Sequence, residues 1–410
     1  MSISNSIINT PFSLPCGAVL SNRVAKAALT ERLAKSDHLP HDGHIRLYDH
    51  WARHQAGMLL SGNILVDQRY LESTGNVVIE EHTKPDRFKE WTTAVNRDRL
   101  HFWAQLSHAG RQSSRFSTTR PVSASDVQLK KMGLFAKPVA LTESGVLDVK
   151  KRFLHAAQFC KEVGFTGVQF HAAHGYLLSQ FLSPRTNRRT DQWGGSIANR
   201  ARLLLDIIQE SRKLLGKEFP ISVKLNSADF QRGGFDEADA KIVIKGLEER
   251  GLDLLEISGG TYERSAMMGV GMKESTRSRE AYFLDFASEI RKETKLPLMV
   301  TGGFRTLSVC EEALEKDELD IVGFGRPFLS VADFPQGFLN RTLEQVVDPK
   351  VPVLDKNNAD AAEAGYYDLQ IKRLAQGKEL KRQYSALRVG MHIPKIEMMQ
   401  GLANRIWGNG

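Results

Sequence analysis

The chain has 410 residues, and its 56 Lys and Arg against 48 Asp and Glu give a formal charge of +8. With 41% hydrophobic and 25% charged residues it has the composition of an ordinary globular protein, which excludes collagen-like and disordered chains. Its basic runs, 150–152 and 378–382, sit in helix-like contexts balanced by acids, so they read as solvated helix faces and nucleic acid is not an expected partner. Cys16, Cys160 and Cys310 lie far apart with no C-x-x-C spacing, which argues against a zinc or iron-sulfur site and for a reducing compartment, the cytoplasm. Residues 1–15 show neither a secretory signal nor a transit peptide pattern, and no apolar run approaches the ~20 residues of a membrane span.

In chain order, residues 11–18 read as a hairpin closing the bottom of a barrel. Eight short apolar segments follow, at 23–29, 57–66, 102–107, 167–172, 221–227, 254–258, 296–302 and 320–325. Helical patterns separate them, for example at 149–163, 198–215, 237–250, 279–295 and 306–316. Strand then helix, repeated, predicts parallel strands with crossover helices. Two long insertions, 113–145 and 184–199, follow the third and fourth strands, where lids and binding loops are common. The expected division is a barrel over residues 1–342 and an extension over 343–410, with a helix at 366–376, packing on the barrel or on a second subunit. Monomer and homodimer are both open.

Alternation alone fits a doubly wound sheet as well as a barrel. Polar and glycine residues collect at the strand ends, as in Gln105-Leu106-Ser107-His108, His171-Ala172-Ala173-His174, Ser258-Gly259-Gly260 and Gly323-Phe324-Gly325-Arg326, and a barrel gathers such ends at one mouth. No full G-x-G-x-x-G is present. The expected fold is therefore a single α/β (β/α)8 barrel.

His171 and His174, three residues apart, would face opposite sides of a continuing strand, and they converge only if the strand ends and the chain turns at Gly175. Two imidazoles donating into a barrel mouth bind a carbonyl, carboxylate or nitro oxygen, and Tyr176 beside them offers a phenolic proton. One core histidine and one loop histidine would satisfy the same spacing. No further ligand completes a metal site. Thr301-Gly302-Gly303-Phe304 and Gly323-Phe324-Gly325-Arg326 end the seventh and eighth strands, where glycine amides and the Arg326 charge suit a phosphate. Tyr262 and Phe135 are candidate pocket walls, while Arg111 and Arg115 reach either substrate or surface partners.

The string His-Ala-Ala-His-Gly-Tyr-Leu-Leu-Ser-Gln-Phe-Leu-Ser-Pro (171–184), followed by Asn-Arg-Arg-Thr-Asp-Gln-Trp-Gly-Gly-Ser-Ile-Ala-Asn-Arg-Ala-Arg (187–202), closely resembles the Old Yellow Enzyme family of FMN-dependent ene-reductases. The resemblance runs from about Ile8 to about Leu339. It implies non-covalent FMN in a barrel mouth, with NADH or NADPH as reductant and an activated alkene as substrate. It places Ala28, Leu29 and Thr30 beneath the flavin ring, Gly62 where the second strand approaches it, and Gln105 on its pyrimidine edge. Lys224 stands where many relatives carry Arg, beside N1 and O2 of the ring. His171 and His174 are implied to hold the substrate oxygen, with Tyr176 as proton donor. Thr30-Glu31-Arg32 replaces the Cys and Tyr of the thermophilic-like branch, so the chain looks nearer the fungal-type branch. Rival readings are an alkene isomerase or dehydrogenase on the same flavin, a redox-silent flavoprotein, and a flavin-free lyase using Lys224 as a Schiff-base amine.

Overall fold

The computed structural model describes residues 6–97, 99–131, 133–263, 283–354 and 359–407. Eight strands form a closed barrel: β1 (Val24–Lys26), β2 (Met58–Leu65), β3 (His101–Ser107), β4 (Gly167–Ala172), β5 (Ile221–Asn226), β6 (Leu254–Ser258), β7 (Leu298–Thr301) and β8 (Ile321–Phe324). Each pairs in parallel with its neighbours in sequence, and β8 returns to β1. Helices cover the outside, so strand residues are buried on both faces and the strands carry apolar runs. The fold is the α/β barrel expected from the alternation together with the polar and glycine residues at the strand ends.

Among the described residues, two of the packed regions hold the barrel together. The larger lies between the strands and the surrounding helices and contains Trp51, Trp91, Phe102, Phe153, Phe170 and Phe324. The smaller fills the barrel interior with Ala25, Met58, Leu60, Trp103, Leu254, Met299 and Ile321. Leu14 and Leu20 join this inner cluster from an N-terminal hairpin, Phe12–Ser13 paired with Val19–Leu20. Burying a large apolar side chain is worth about 2 kcal/mol, so this plug stabilises the closed end substantially.

Several boundaries differ from the sequence reading. β1 stops at Lys26, and the chain from Ala27 to Arg32 runs along the barrel mouth; the register of β2 shifts between Leu60 and Asn63 alongside it. The Lys26 ammonium lies in this break, donating to the Leu60 carbonyl at 2.8 Å and the Ala27 carbonyl at 3.1 Å. The helix expected from 149 starts at Glu143, because the Thr142 hydroxyl accepts from the Gly145 amide at 3.1 Å and caps it. The helix expected at 279–295 is Leu284–Ile290, and residues 279–282 lie outside the described residues. The insertion after β3 contributes a short parallel pair, Val122–Ser123 with Val139–Ala140.

The extension holds two helices, Ala359–Ala375 and Ala386–Trp407. Arg46 of the Asp42–Ala52 helix donates to the Ala375 carbonyl at 2.9 Å. Glu397 takes the Ser73 hydroxyl and, at 3.1 Å, the Thr74 amide, which fastens the last helix to the loop after β2. The two helices meet closely at Gly365, where a Cβ would overlap the Val389 carbonyl oxygen. Gly365→Ala should force them apart at a cost of about 1–3 kcal/mol. The expected result is a lower Tm with faster proteolytic release of the extension; an unchanged Tm and cleavage rate would show that the helices do not meet there.

Candidate active site

At the carboxyl ends of the strands lies a cavity of about 530 Å³. Its floor and sides come from Ala28, Leu29 and Thr30 after β1, Lys224 of β5 and Ser258 of β6. His174, Tyr176 and Tyr262 enter from the loops after β4 and β6. Gly302, Gly303, Gly325 and Arg326 line the end formed by β7 and β8. Phe135, from the long insertion, supplies part of the wall.

The histidines meet because β4 ends at Ala172 and the chain then takes two successive left-handed residues, His174 (φ +59°) and Gly175 (φ +78°). Glycine adopts this conformation freely, and histidine at a modest cost. The rings of His171 and His174 stand 5.1 Å apart, and that of Tyr176 lies 4.8 Å from His171. The His174 amide donates to Asn226 Oδ1 at 3.1 Å, and its Nε2 bonds Ser258 Oγ at 2.8 Å. His171 Nδ1 accepts the Ala173 amide at 3.2 Å, which assigns its ring proton to Nε2. Burial, reinforced by the Lys224 charge, holds both imidazoles well below the usual histidine range. Burial, with Tyr262 and Glu72 nearby, pushes the Tyr176 phenol well above its usual range. The site thus presents neutral imidazoles and a protonated phenol.

Strand register explains the charge beneath them. His171 pairs with Lys224, and Lys224 with Glu256, across β4, β5 and β6. Lys224 Nζ lies 2.7 Å from Glu256 Oε1, and both side chains are buried. Glu256 Oε2 accepts from Gln169 at 2.8 Å, and Gln169 Oε1 accepts from Gln105 at 2.8 Å. Schiff-base lysines are activated by desolvation without a counter-charge or beside another cation. The carboxylate at Lys224 is the opposite setting, so the geometry does not support the lyase reading.

Not every expected residue reaches the cavity. His171 packs behind His174 and Tyr176 and does not line it. The Phe304 side chain turns into the core, 1% exposed, with its ring 6.4 Å from that of Phe324, because the residue after two glycines sits where the chain enters the helix layer. Gly62 faces the Glu31 carboxylate, which also accepts its amide at 2.8 Å, and Gln105 is engaged with Gln169. Arg111 turns towards Glu263 at 2.6 Å, and Arg115 donates to the Gly133 carbonyl at 3.0 Å.

Other residues at or beside the site escaped the sequence reading. Arg32, with φ +51°, lines the cavity and sits 3.3 Å from Glu72, 3.7 Å from Asp368 and 3.7 Å from Glu397. Glu363 of the extension pairs with Arg326, and Tyr367 and Ile371 add to the wall. No motif marks Glu72 or the extension residues. Lys26 and Glu256 did carry a signal, a charge inside an apolar strand. Burial against Tyr48 and Trp51 pushes the Lys26 ammonium down to about 7, while Glu31 beside it, bonded by the Tyr48 hydroxyl, is pushed up by burial.

The residues present fit a flavin mononucleotide. Gly302 and Gly303, at φ +139° and +92°, form a glycine turn beside Arg326. Thr301 Oγ1 is buried at the same place without a hydrogen-bond partner, as a waiting donor would be. A fixed Lys224 cation suits the flavin edge that becomes anionic on reduction. Among the described residues no cluster of three His, Cys, Asp or Glu side chains is arranged to hold a metal, and no helix is long and apolar enough to cross a membrane.

Residues 9–343 match the NADH:flavin oxidoreductase / NADH oxidase family. The chain is 33% identical to the NADH-dependent flavin oxidoreductase nadA of Aspergillus parasiticus, over 82% of its own length and 78% of that protein. It is 34% identical to the NADH-dependent flavin oxidoreductase iliE of Neonectria sp., over 77% of its length, and spans 45% of that longer protein. Its fold superposes on the old yellow enzyme homologue of Zymomonas mobilis with a TM-score of 0.70 and 26% identity, covering 83% of this chain and 94% of that one. The barrel, the glycine turns and the His-Tyr mouth therefore belong to a member of the NADH:flavin oxidoreductase family, an FMN-dependent oxidoreductase of the Old Yellow Enzyme type that uses NAD(P)H.

Proposed function

We propose that the enzyme reduces the carbon–carbon double bond of α,β-unsaturated carbonyl or nitro compounds. The observation that carries this reading is that His174 and Tyr176 at the end of β4 enter the cavity whose floor includes Lys224, with the His171 ring packed against both. FMN, when bound, would supply hydride-transfer chemistry, with NADH or NADPH as the source of the electrons. His174, in the cavity wall, donates an N–H bond to the carbonyl or nitro oxygen, with the second donor expected from His171 packed beside it, and the negative charge that builds there is stabilised. Their neutrality matters, since each imidazole then offers a single directed donor. Tyr176, kept protonated by burial, delivers the proton to the α-carbon. Ala28, Leu29 and Thr30 would support the flavin, and Gly302, Gly303, Gly325 and Arg326, which line the same cavity, would hold its phosphate. Tyr262 and Phe135 bound the substrate end. The extension packs on the barrel that carries it, and the spacing of the three cysteines supports a cytoplasmic setting.

The direct test is an anaerobic absorbance titration of the holoenzyme with NADH and then cyclohexenone. Bleaching followed by recovery of the oxidised-flavin spectrum is expected. Bleaching without recovery would sink the ene-reductase reading and leave an isomerase or a dehydrogenase of the same family.

His174→Ala should lower cyclohexenone turnover on the order of 100-fold while leaving FMN content nearly intact. Equal losses of turnover and flavin would remove the residue from the chemistry. A second expectation concerns pH. Because burial depresses both imidazoles, they stay neutral on either side of the ordinary histidine pKa and protonate only well below it. The kcat/KM for the enone should accordingly be flat from about pH 6 to about pH 8, and a limb centred near the ordinary histidine value of about 6.5 would contradict the assignment.

A further inference from the structure

We propose that Glu72 is a positioning residue for the proton donor Tyr176, acting through Tyr262; this rests on the role given to Tyr176 above. The Tyr176 and Tyr262 hydroxyls are 2.9 Å apart, and the Tyr262 hydroxyl donates to Glu72 Oε1 at 3.2 Å. A carboxylate only accepts, so the Tyr262 proton is committed to Glu72 and the Tyr262 oxygen is left to accept from Tyr176. The direction of both hydrogen bonds follows from Glu72. Tyr176 is thereby held in one place with its proton on the oxygen, ready to swing to the α-carbon.

Glu72 is itself over-determined. Arg32 reaches its Oε1 at 3.3 Å, and Asn63 Nδ2 lies 3.5 Å from its other oxygen. Arg32 keeps a left-handed backbone that a non-glycine residue rarely adopts, and such strain persists only where the surroundings fix it. Here they do, through Asp368 and Glu397 of the extension. Asp368 is bonded in turn by His392 at 2.7 Å. On the other side Lys131 donates to the Tyr262 carbonyl at 3.0 Å with its ammonium 5.9 Å from that ring. Among the described residues, the titratable and charged groups around Tyr176 include His171 and His174 from β4 and its turn, Tyr262 and Lys131 from the loops, and Glu72 with Arg32. Of these only Glu72 is an acceptor without a proton to give, and the extension reaches Tyr176 through it.

The test starts from dithionite-reduced holoenzyme and compares recovery of the oxidised-flavin absorbance with cyclohexenone and with ferricyanide. Ferricyanide takes electrons singly and needs no proton delivered to carbon. Glu72→Gln keeps the size of the side chain but can donate to Tyr262 and invert the hydrogen-bond order. It should lower the enone-to-ferricyanide rate ratio on the order of 10-fold, a fraction of the 10²- to 10⁴-fold that a positioned acid contributes. Tyr262→Phe, which cuts the same link elsewhere, should lower the ratio similarly and guards against a Glu72 variant that folds poorly. In a Tyr176→Phe background Glu72→Gln should add nothing, because both act on one step. A ratio unchanged by Glu72→Gln and Tyr262→Phe, or losses that multiply with that of Tyr176→Phe, would overturn the proposal. Tyr176→Phe without effect would instead overturn the proton-donor reading and this inference with it.

Discussion

Closure of β8 on β1 is the constraint on which every functional residue depends. It brings the carboxyl ends of eight parallel strands to one mouth, and β4, β5 and β6 then place His171, Lys224 and Glu256 side by side in register. A one-residue slip of β5 would send Lys224 to the helix layer, since neighbouring side chains on a strand face opposite sides. The hydrophobic plug of Trp103, Met58 and Leu254 with the N-terminal hairpin makes that slip expensive. The site is therefore held by packing far from its chemistry.

Lys224 and Glu256 show how the barrel handles charge. Burying two ions is costly unless they are close and otherwise satisfied. Here the pair is 2.7 Å apart, and Gln169 completes the carboxylate with Gln105 behind it. The resulting row runs under the cavity from β3 to β6. It gives the floor a fixed cation without leaving an uncompensated one, and electrostatic preorganisation of this kind is the larger part of what a protein supplies to a flavin.

The extension adds a second layer of control. Its acids Asp368, Glu397 and Glu363 meet Arg32 and Arg326, two cations that line the cavity. Arg32 is the more telling, because its strained backbone is stabilised from three separate stretches of chain. A cavity whose cations are held by a C-terminal helix pair has its shape tied to how those helices dock, and Gly365 sets how closely they can do so.

Much of this was legible in the residues themselves. The eight apolar segments gave parallel strands with crossovers, and the polar and glycine residues at their ends favoured a barrel, since strand periodicity and turn chemistry are local properties of the chain. The glycine turns at 302–303 and 323–325 pointed to a phosphate site through turn chemistry, while the flavin and the place of Lys224 beside it were implied by the family resemblance that the 171–184 string carries. What depended on tertiary structure were contacts between residues far apart in sequence. Glu256 opposite Lys224, Glu72 behind Tyr262, and Asp368 and Glu397 on Arg32 are joined only after the barrel closes and the extension folds back. The same holds for Phe304 and Gly62, whose surroundings lie away from the cavity lining. Phe304 follows a glycine turn that marks a phosphate site, but its ring enters the core, and Gly62 opens space that Glu31 takes. A local sequence sets where the backbone turns; which side chain fills the space beyond the turn is decided by packing against elements that the local sequence does not contain.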